Sequence, residues 1–512
     1  MHANMHIFLY GPPGTGKSTI GNVLAHNLNL PFIDLDSRIE TKAKLSISQI
    51  MEQDGESSFR DLETSTLKET VESVSSVIAL GGGALLRQEN LSLAEAHGTV
   101  VLLTAELPIL MERLKEDSGK RPLLTGDLQE KLTTLLEQRR EHYVSFKIHI
   151  HLDGMTAEQC ATQIQTQLGR FHLSAMREYD VMVGQIAQLA SLPYKIQNPV
   201  IVTDENVAQF HLEKIGLVLQ SSGHEPRFIV VPAGEKYKNL NTVSHLWNAF
   251  LQNGLDRKST VIALGGGVIG DMAGFAASTY MRGIQWISVP TTLLSMVDAS
   301  LGGKTGFDLP QGKNLIGSFY PPKLVLADPQ FLNSLPEREL ISGMAEVVKH
   351  GIISDPGLFE LCACGWDWVK SNLEQVVKRA MAVKIKVIEE DPYEKGVRAA
   401  LNLGHTVGHA VELVSQFKLR HGEAIAIGMV TEARFAERIG IAEPGLSNKI
   451  AELLFGYGLP VKIPGNLPRE EILRAMRVDK KKDAAKLRFA LPATIGKVEL
   501  VEVTDLESVL EE

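Results

Sequence analysis

The sequence predicts an α/β protein in successive parts: an N-terminal parallel sheet around a phosphate-binding turn, then a doubly wound α/β domain followed by a mainly helical one. Three observations lead there. Short apolar runs ending in glycine alternate with amphipathic helical stretches, as in successive βαβ units. A complete G-x-x-x-x-G-K-S lies between the first such run and the first helix. From about Leu335 onward the pattern becomes long and helical. The length, 512 residues, exceeds what one core accommodates. The expected domains are 1–170, 178–330 and 331–512, with a catalytic cleft between the last two.

Taken in order, His6–Leu9, Val77–Leu80 and Thr99–Leu103 read as strands of the first sheet. Lys17–Leu28 and Leu128–Tyr143 read as amphipathic helices, and Gln159–Gly169 as a last helix before a linker at Gly169–Glu178. Val200–Thr203, Arg227–Val231, Thr260–Leu264 and Trp286–Val289 are the strands expected of the second sheet, and Ala382–Glu390, Asn402–Val414 and Gly422–Ile439 the helices expected after it.

Composition excludes several classes. With 44% apolar and 22% charged residues and a net charge of −9, the chain is neither a disordered polymer nor a nucleic-acid coat. Any anion site must therefore be a local basic cluster. No apolar run approaches the roughly 20 residues of a membrane span, and nothing near Met1–Tyr10 resembles a signal peptide, so a cytoplasmic protein is expected. The three cysteines, Cys160, Cys362 and Cys364, cannot form a disulfide framework. Cys362 and Cys364 are expected to be buried small hydrophobes.

Gly11-Pro12-Pro13-Gly14-Thr15-Gly16-Lys17-Ser18 has the flanks its chemistry needs. The glycines let backbone N–H groups face phosphates, Lys17 neutralises their oxygens, and the Ser18 hydroxyl can ligate Mg2+. Phe32-Ile33-Asp34-Leu35-Asp36 would put two carboxylates on one side of a strand end. One would serve the metal and the other an acceptor hydroxyl. Arg60, the Gly81-Gly82-Gly83 turn, Arg121 and Arg139 suit a small polyhydroxy carboxylate, because guanidinium grips carboxylate through two parallel bonds. In this order the residues resemble shikimate kinase over nearly all of 5–168.

That resemblance implies ATP as co-substrate, bound by Gly14, Gly16, Lys17, Ser18 and Thr19, with Mg2+ near Ser18 and Asp34. It implies shikimate held by Asp36, Arg60, Gly81, Gly82, Gly83 and Arg139, with Asp36 catalytic. A lid would close around Ser118–Leu124, bringing Arg121 to the phosphates. Lys44, where Gly is usual, and Met51, where Phe is usual, depart from the pattern.

In the second part Gly265-Gly266-Gly267-Val268-Ile269-Gly270 follows a strand and precedes a helix, a geometry for pyrophosphate. No acidic residue closes a strand about 20 residues on, as the ordinary dinucleotide fingerprint would have it. His405 and His409 lie four apart on one helical face, His421 follows, and Glu346 stands in Gly343–Lys349. Two histidines and a carboxylate make a three-ligand set with an open position, on Zn2+ or a similar ion. Spacing does not say which two histidines take part.

With Gly234–Lys238, Pro290–Asp298, Gly302–Thr305, Gly312–Asn314, Asp391–Arg398 and Asp479–Lys481, this part is similar to 3-dehydroquinate synthase over about 180–505. The resemblance implies Glu346, His405 and His421 as ligands of Zn2+ (or Co2+), and His409 and Glu394 as proton-transfer residues. It implies NAD+ against Asp204, Glu235, Lys236, Gly266, Gly267, Asp271, Thr291, Thr292, Asp298 and Lys313. Substrate, a heptulosonate phosphate, would meet Arg282, Lys304, Asn314, Lys349, Lys384, Arg398, Asn402 and Lys480 or its neighbour Lys481. Leu403, where Phe is common, is a packing change. A homodimer through this half is the family expectation, with small-molecule substrates and no nucleic-acid or membrane partner.

Two other readings are open to the sequence. The first part could be a nucleotide sensor, although a sensor needs no acceptor site of Asp36, Arg60 and Arg139. The second could be a metal-dependent alcohol dehydrogenase, although that chemistry does not need a ring of lysines.

Overall fold

The computed structural model describes residues 5–116, 128–192, 195–478 and 487–511. Contacts divide the chain into two compact units, Met1–His172 and Leu173–Glu512. No helix among the described residues is long and apolar enough to cross a membrane.

In the first unit, β1 (His6–Tyr10), β2 (Phe32–Asp34), β3 (Val77–Ala79), β4 (Gly98–Thr104) and β5 (Ile148–His151) form one sheet in the order β2-β3-β1-β4-β5. Every pairing in it is parallel. The central strand β1 is buried throughout, which is why its sequence is continuously apolar apart from His6. Two cores cover the sheet faces, one around Phe8, Tyr10 and Phe59, the other around Ile7, Leu9 and Ile164. The Leu128–Tyr143 stretch is two helices, Leu128–Gln138 and Arg140–Val144, separated at Arg139.

A seven-stranded sheet follows, most of it in the second unit. Its strands are β6 (Arg170–Leu173), β7 (Tyr179–Val183), β8 (Val200–Asp204), β9 (Arg227–Val231), β10 (Thr260–Gly265), β11 (Gln285–Pro290) and β14 (Leu324–Ala327), in the order β6-β7-β14-β11-β10-β8-β9. The residues expected to form a linker thus begin as a strand. A hairpin not foreseen in the sequence, β12 (Lys304–Leu309) with β13 (Gly312–Phe319), stands apart from that sheet.

The helices expected at 382–390, 402–414 and 422–439 occur as Leu373–Glu390, His405–Val414 and His421–Arg438. The region is less purely helical than its sequence suggests. It closes with an antiparallel pair, β15 (Leu487–Thr494) and β16 (Lys497–Val503). Cys362 is buried as expected, and so is Cys160, but Cys364, just past the end of the helix Pro356–Ala363, is exposed.

Candidate active sites

In the first unit the turn after β1 leads into the helix Lys17–Asn27, whose N-terminus carries no side-chain cap. Its first N–H groups therefore face outward for an anion. Lys17 folds back over the turn, its Nζ donating to the carbonyls of Gly11 at 2.8 Å and Pro12 at 3.0 Å. Ser18 Oγ donates to Asp34 Oδ2 at 2.5 Å, joining the two residues expected at Mg2+.

Asp34 and Asp36 do not share one side of a strand. β2 ends at Asp34, which caps the helix Leu35–Ala43 by accepting from Ser37 N, and Asp36 lies in the first helical turn. The helical turn rotates the two carboxylates apart, Asp34 to the phosphate turn and Asp36 to the glycines after β3. A Cβ on Gly81 would lie 2.8 Å from Asp36 Oδ1, and one on Gly83 2.7 Å from an Arg60 nitrogen. Arg139 Nη1 donates to the Gly82 carbonyl at 2.6 Å. The Gly81–Gly83 segment is thus the floor on which Asp36, Arg60 and Arg139 converge.

Glu63, not singled out from the sequence, is fully buried beneath this floor. It pairs with Arg60 at 2.9 Å and leaves Oε1 without a hydrogen-bond partner among the described residues. Burial raises its carboxyl, with Arg60 opposing. The three-residue spacing from Arg60 on one helix was the available signal. Arg121 and the Ser118–Leu124 lid lie outside the described residues.

In the second unit, the helices His405–Val414 and His421–Arg438 cross so closely that their glycines meet backbone. A Cβ on Gly408 would come within 2.9 Å of the Ala424 carbonyl, and one on Gly428 would collide with the Gly404 carbonyl. From the second helix, buried Glu432 accepts from Gly404 N at 2.6 Å and Val407 N at 3.2 Å, capping the first helix where His405 begins it. The crossing gathers three imidazoles, with ring centroids of His405 and His409 at 5.0 Å and of His405 and His421 at 5.5 Å. Glu346, fully buried on the helix Glu337–Ser354, points its Oε1 at His405 Nε2 (3.6 Å) and His421 Nε2 (3.5 Å).

Those separations are long for hydrogen bonds. They match the roughly 3.4 Å between neighbouring ligand atoms of a tetrahedral ion bound at about 2.1 Å. His409 differs from the other two histidines in being exposed.

The electrostatics are consistent with an ion there. Burial alone would raise the Glu346 carboxyl; Lys349 and the two imidazoles outweigh it and hold it well below the usual range. Burial, reinforced by Lys349, holds His405 well below the ordinary imidazole value, leaving its lone pair available. His421 moves the other way, to about 9, because Glu346 and Glu412 outweigh its burial. Glu412 is the second residue missed in the sequence. Its Oε2 lies 3.3 Å from His421 Nδ1, and its own carboxyl is held at about 2, with His421 and Lys313 outweighing burial. It stands three residues after His409 on the same helical face, a spacing that could have disclosed it.

Around this centre three of the expected substrate cations are already paired with carboxylates. Lys304 contacts Glu394 and Lys384 contacts Asp298, each at 2.5 Å, while Lys349 pairs with Glu346. Arg398 is buried and donates to the Pro392 carbonyl. Asn402 ends the turn Val397–Asn402 and hydrogen-bonds Glu394. Arg282 is exposed on the turn Tyr280–Arg282, and Lys480 and Lys481 lie outside the described residues.

On the dinucleotide side, the helix Gly267–Thr279 also begins without a side-chain cap. A Cβ on Gly266 would press within 3.1 Å of Thr292, and Thr291 N donates to the Gly265 carbonyl at 3.0 Å. Asp204 caps the helix after β8. Asp271 pairs with buried Lys238 at 2.7 Å, and Lys238 also reaches Asn314. Lys313 Nζ lies between Glu412 at 3.1 Å and Glu235 at 3.4 Å, while Lys236 stacks on Tyr237.

Comparison with known proteins identifies the family of each part. Residues 13–169 match the family model for shikimate kinase. Residues 228–342 and 343–482 match those for the N-terminal and C-terminal parts of 3-dehydroquinate synthase. The chain is 41% identical to the 3-dehydroquinate synthase of Thermodesulfovibrio yellowstonii over 349 residues, 66% of this chain and 97% of that protein. It is 44% identical to that of Synechocystis sp. over 313 residues, 60% of this chain and 87% of that protein. A solved 2-deoxy-scyllo-inosose synthase, complexed with carbaglucose-6-phosphate, NAD+ and Co2+, is 29% identical with a TM-score of 0.61, covering 67% of this chain and 99% of its own.

A P-loop unit joined to a unit of the sugar-phosphate cyclase type is a kinase joined to a lyase. The chain belongs to the 3-dehydroquinate synthase family and carries a shikimate kinase domain ahead of it, a fusion of two shikimate-pathway enzymes.

Proposed function

We propose that the first unit transfers the γ-phosphoryl group of ATP to a shikimate hydroxyl, giving shikimate 3-phosphate, and that the second converts 3-deoxy-D-arabino-heptulosonate 7-phosphate to 3-dehydroquinate with release of phosphate. The observation that carries the kinase reading is the convergence of Asp36, Arg60 and Arg139 on Gly81–Gly83, beside the phosphate turn. For the synthase it is the cluster of Glu346, His405 and His421, whose ligand atoms lie within 4.8 Å of one another.

In the kinase, Arg60 and Arg139 grip the acceptor's carboxylate, and Asp36 takes the proton of the attacking hydroxyl. Lys17 exchanges its loop carbonyls for phosphate oxygens. Ser18 and Asp34 hold Mg2+, Gly14, Gly16 and Thr19 face the nucleotide, and Arg121 neutralises charge on the phosphates.

In the synthase, the donor set fits Zn2+ or Co2+, and the uncapped helix start beside Thr291 and Thr292 fits a dinucleotide. When bound, NAD+ supplies a reversible hydride acceptor and the divalent ion supplies polarisation of the hydroxyl being oxidised. Asp204, Glu235, Lys236, Gly266, Gly267, Asp271, Asp298 and Lys313 position the dinucleotide. Lys304, Lys349, Lys384, Arg398, Arg282 and Lys480 meet the substrate's phosphate and carboxylate, and Asn314 and Asn402 orient its hydroxyls. His409, more exposed than the proposed ligands, and Glu394, opposite Lys304, move protons. The enzyme is cytoplasmic and pairs through its synthase unit.

The test is phosphate release from the heptulosonate phosphate by the intact chain, with and without NAD+ and chelator, alongside ATP-dependent phosphorylation of shikimate. Loss of phosphate release on omitting either cofactor, with no net NADH formed, supports the synthase reading. Net NADH in proportion to product would replace it with a dehydrogenase.

A further inference from the structure

We infer that Glu412 is a positioning residue that links ion binding to dinucleotide binding in the synthase unit. The inference rests on the proposed roles of His421 at the ion and Lys313 at NAD+. Glu412 is nearly buried and its two carboxylate oxygens face opposite ways. Oε2 meets His421 Nδ1 at 3.3 Å, while Oε1 accepts from Lys313 Nζ at 3.1 Å. Lys313 is fixed in turn by Glu235 at 3.4 Å and by the Phe417 ring, 4.3 Å from its ammonium.

Each contact restrains the next. An ion would take the place of the His421 Nε2 proton, released to solvent, and Glu412 keeps the remaining proton on Nδ1, so that Nε2 is the nitrogen that faces Glu346 and the ion. The Glu412 carboxylate keeps that orientation only while something holds its other oxygen. That holder, Lys313, sits on the hairpin strand Gly312–Phe319, not on either imidazole-bearing helix. A dinucleotide that restrains Lys313 therefore removes freedom from Glu412 and His421 before the ion arrives. The ion, by the same linkage, restrains Lys313 before the dinucleotide arrives. The coupling is positive and reciprocal.

Co2+ titration of the metal-free full chain, followed by its visible absorption, measures this. Wild-type protein should bind one Co2+ at least fivefold more tightly with saturating NAD+ than without. Glu412→Ala should weaken Co2+ binding about 10–100-fold and reduce the NAD+ effect to less than twofold. Glu412→Gln, which keeps an acceptor for Nδ1 but loses the charge that holds Lys313, should weaken Co2+ binding less yet still lose the NAD+ effect. Thermal melting of each metal-free variant establishes that it is folded, and NAD+ fluorescence quenching that it still binds the dinucleotide.

An NAD+ effect of equal size in wild type and folded Glu412→Ala overturns the inference, as does wild-type affinity indifferent to NAD+. If His405→Ala binds Co2+ as well as wild type does, the metal assignment itself is wrong and the inference falls with it. If His405→Ala abolishes binding and Glu412→Ala leaves both affinity and coupling intact, the inference alone falls.

Discussion

At the scale of single residues, Lys44 shows how a sequence departure becomes a physical quantity. It follows the last turn of the helix Leu35–Ala43 with φ 58° and ψ 24°, the left-handed region in which a Cβ crowds the neighbouring carbonyl. Glycine avoids the crowding but leaves a more flexible unfolded chain, so the two effects partly cancel. Lys44→Gly should stabilise the first unit by about 0.5–1 kcal/mol, read as a higher midpoint in its thermal unfolding. An unchanged or lower midpoint would show that Lys44 makes a compensating contact. Glu63 and Glu412 teach the complementary lesson. Each stood at a helical spacing from a chosen residue, but a carboxylate on a polar helix is ordinarily solvated, and only three-dimensional burial distinguishes these two.

At the scale of elements, the glycine crossing and the Asp391 loop carry the second site. Gly428→Ala would drive a methyl into the Gly404 carbonyl. Overpacking of this kind costs typically about 1–3 kcal/mol, and here it would also push the His405 helix off the His421 helix. The expected result is a lowered melting temperature together with weakened ion binding; a variant that melts lower but binds Co2+ normally would mean that the crossing does not set the imidazole geometry.

Asp391 organises the loop carrying Glu394 and Arg398, its carboxylate accepting from the backbone N–H groups of Lys395 (2.9 Å), Gly396 (2.7 Å) and Arg398 (3.1 Å). Burial would raise its carboxyl, but these three bonds and Arg398 hold it below the usual carboxylate value. A depressed carboxylate contributes stability that is complete above that value and is lost as pH falls through the folded one. The loop should therefore be indifferent to pH near neutrality and loosen only in acid, whereas Asp391→Asn should loosen it at neutral pH. Hydrogen exchange at Lys395, Gly396 and Arg398 reads both effects, and unaltered protection in the variant would count against them.

Legibility also varied by element. The strands before glycine turns were readable because a buried parallel strand is a continuous apolar run. The hairpin Lys304–Leu309 with Gly312–Phe319 was not, because its sequence is rich in Gly and Lys and its second strand is largely exposed. The expected relation between Asp34 and Asp36 failed for a local reason. Two-residue alternation holds in a strand, and the strand stopped one residue too soon.

At the scale of the whole molecule, the chain is two compact units, with the phosphate turn and Arg60 in one and Glu346, His405 and His421 in the other. The two proposed chemistries should therefore be separable by point substitution in the intact protein. Lys17→Met should reduce shikimate phosphorylation at least 100-fold, the scale of losing one preorganised donor to a developing charge, and leave phosphate release from the heptulosonate phosphate within twofold of normal. His405→Ala should do the reverse. Loss of both activities in either variant would reveal a dependence that the fold does not suggest.

The paired lysines around Glu346, Asp298 and Glu394 have one more consequence. A pocket of bare ammonium groups would draw in any passing anion and would weaken steeply as electrolyte rises. In the proposed substrate site Lys304, Lys349 and Lys384 each have a tethered counter-charge, so a ligand binding there would trade places with carboxylates and not merely with dissolved ions. Adventitious sulfate or chloride, offering only one weak contact, gains little by the exchange. A molecule bearing phosphate and carboxylate at the right separation would displace several partners at once, and the proposed site would draw its selectivity from that simultaneous swap.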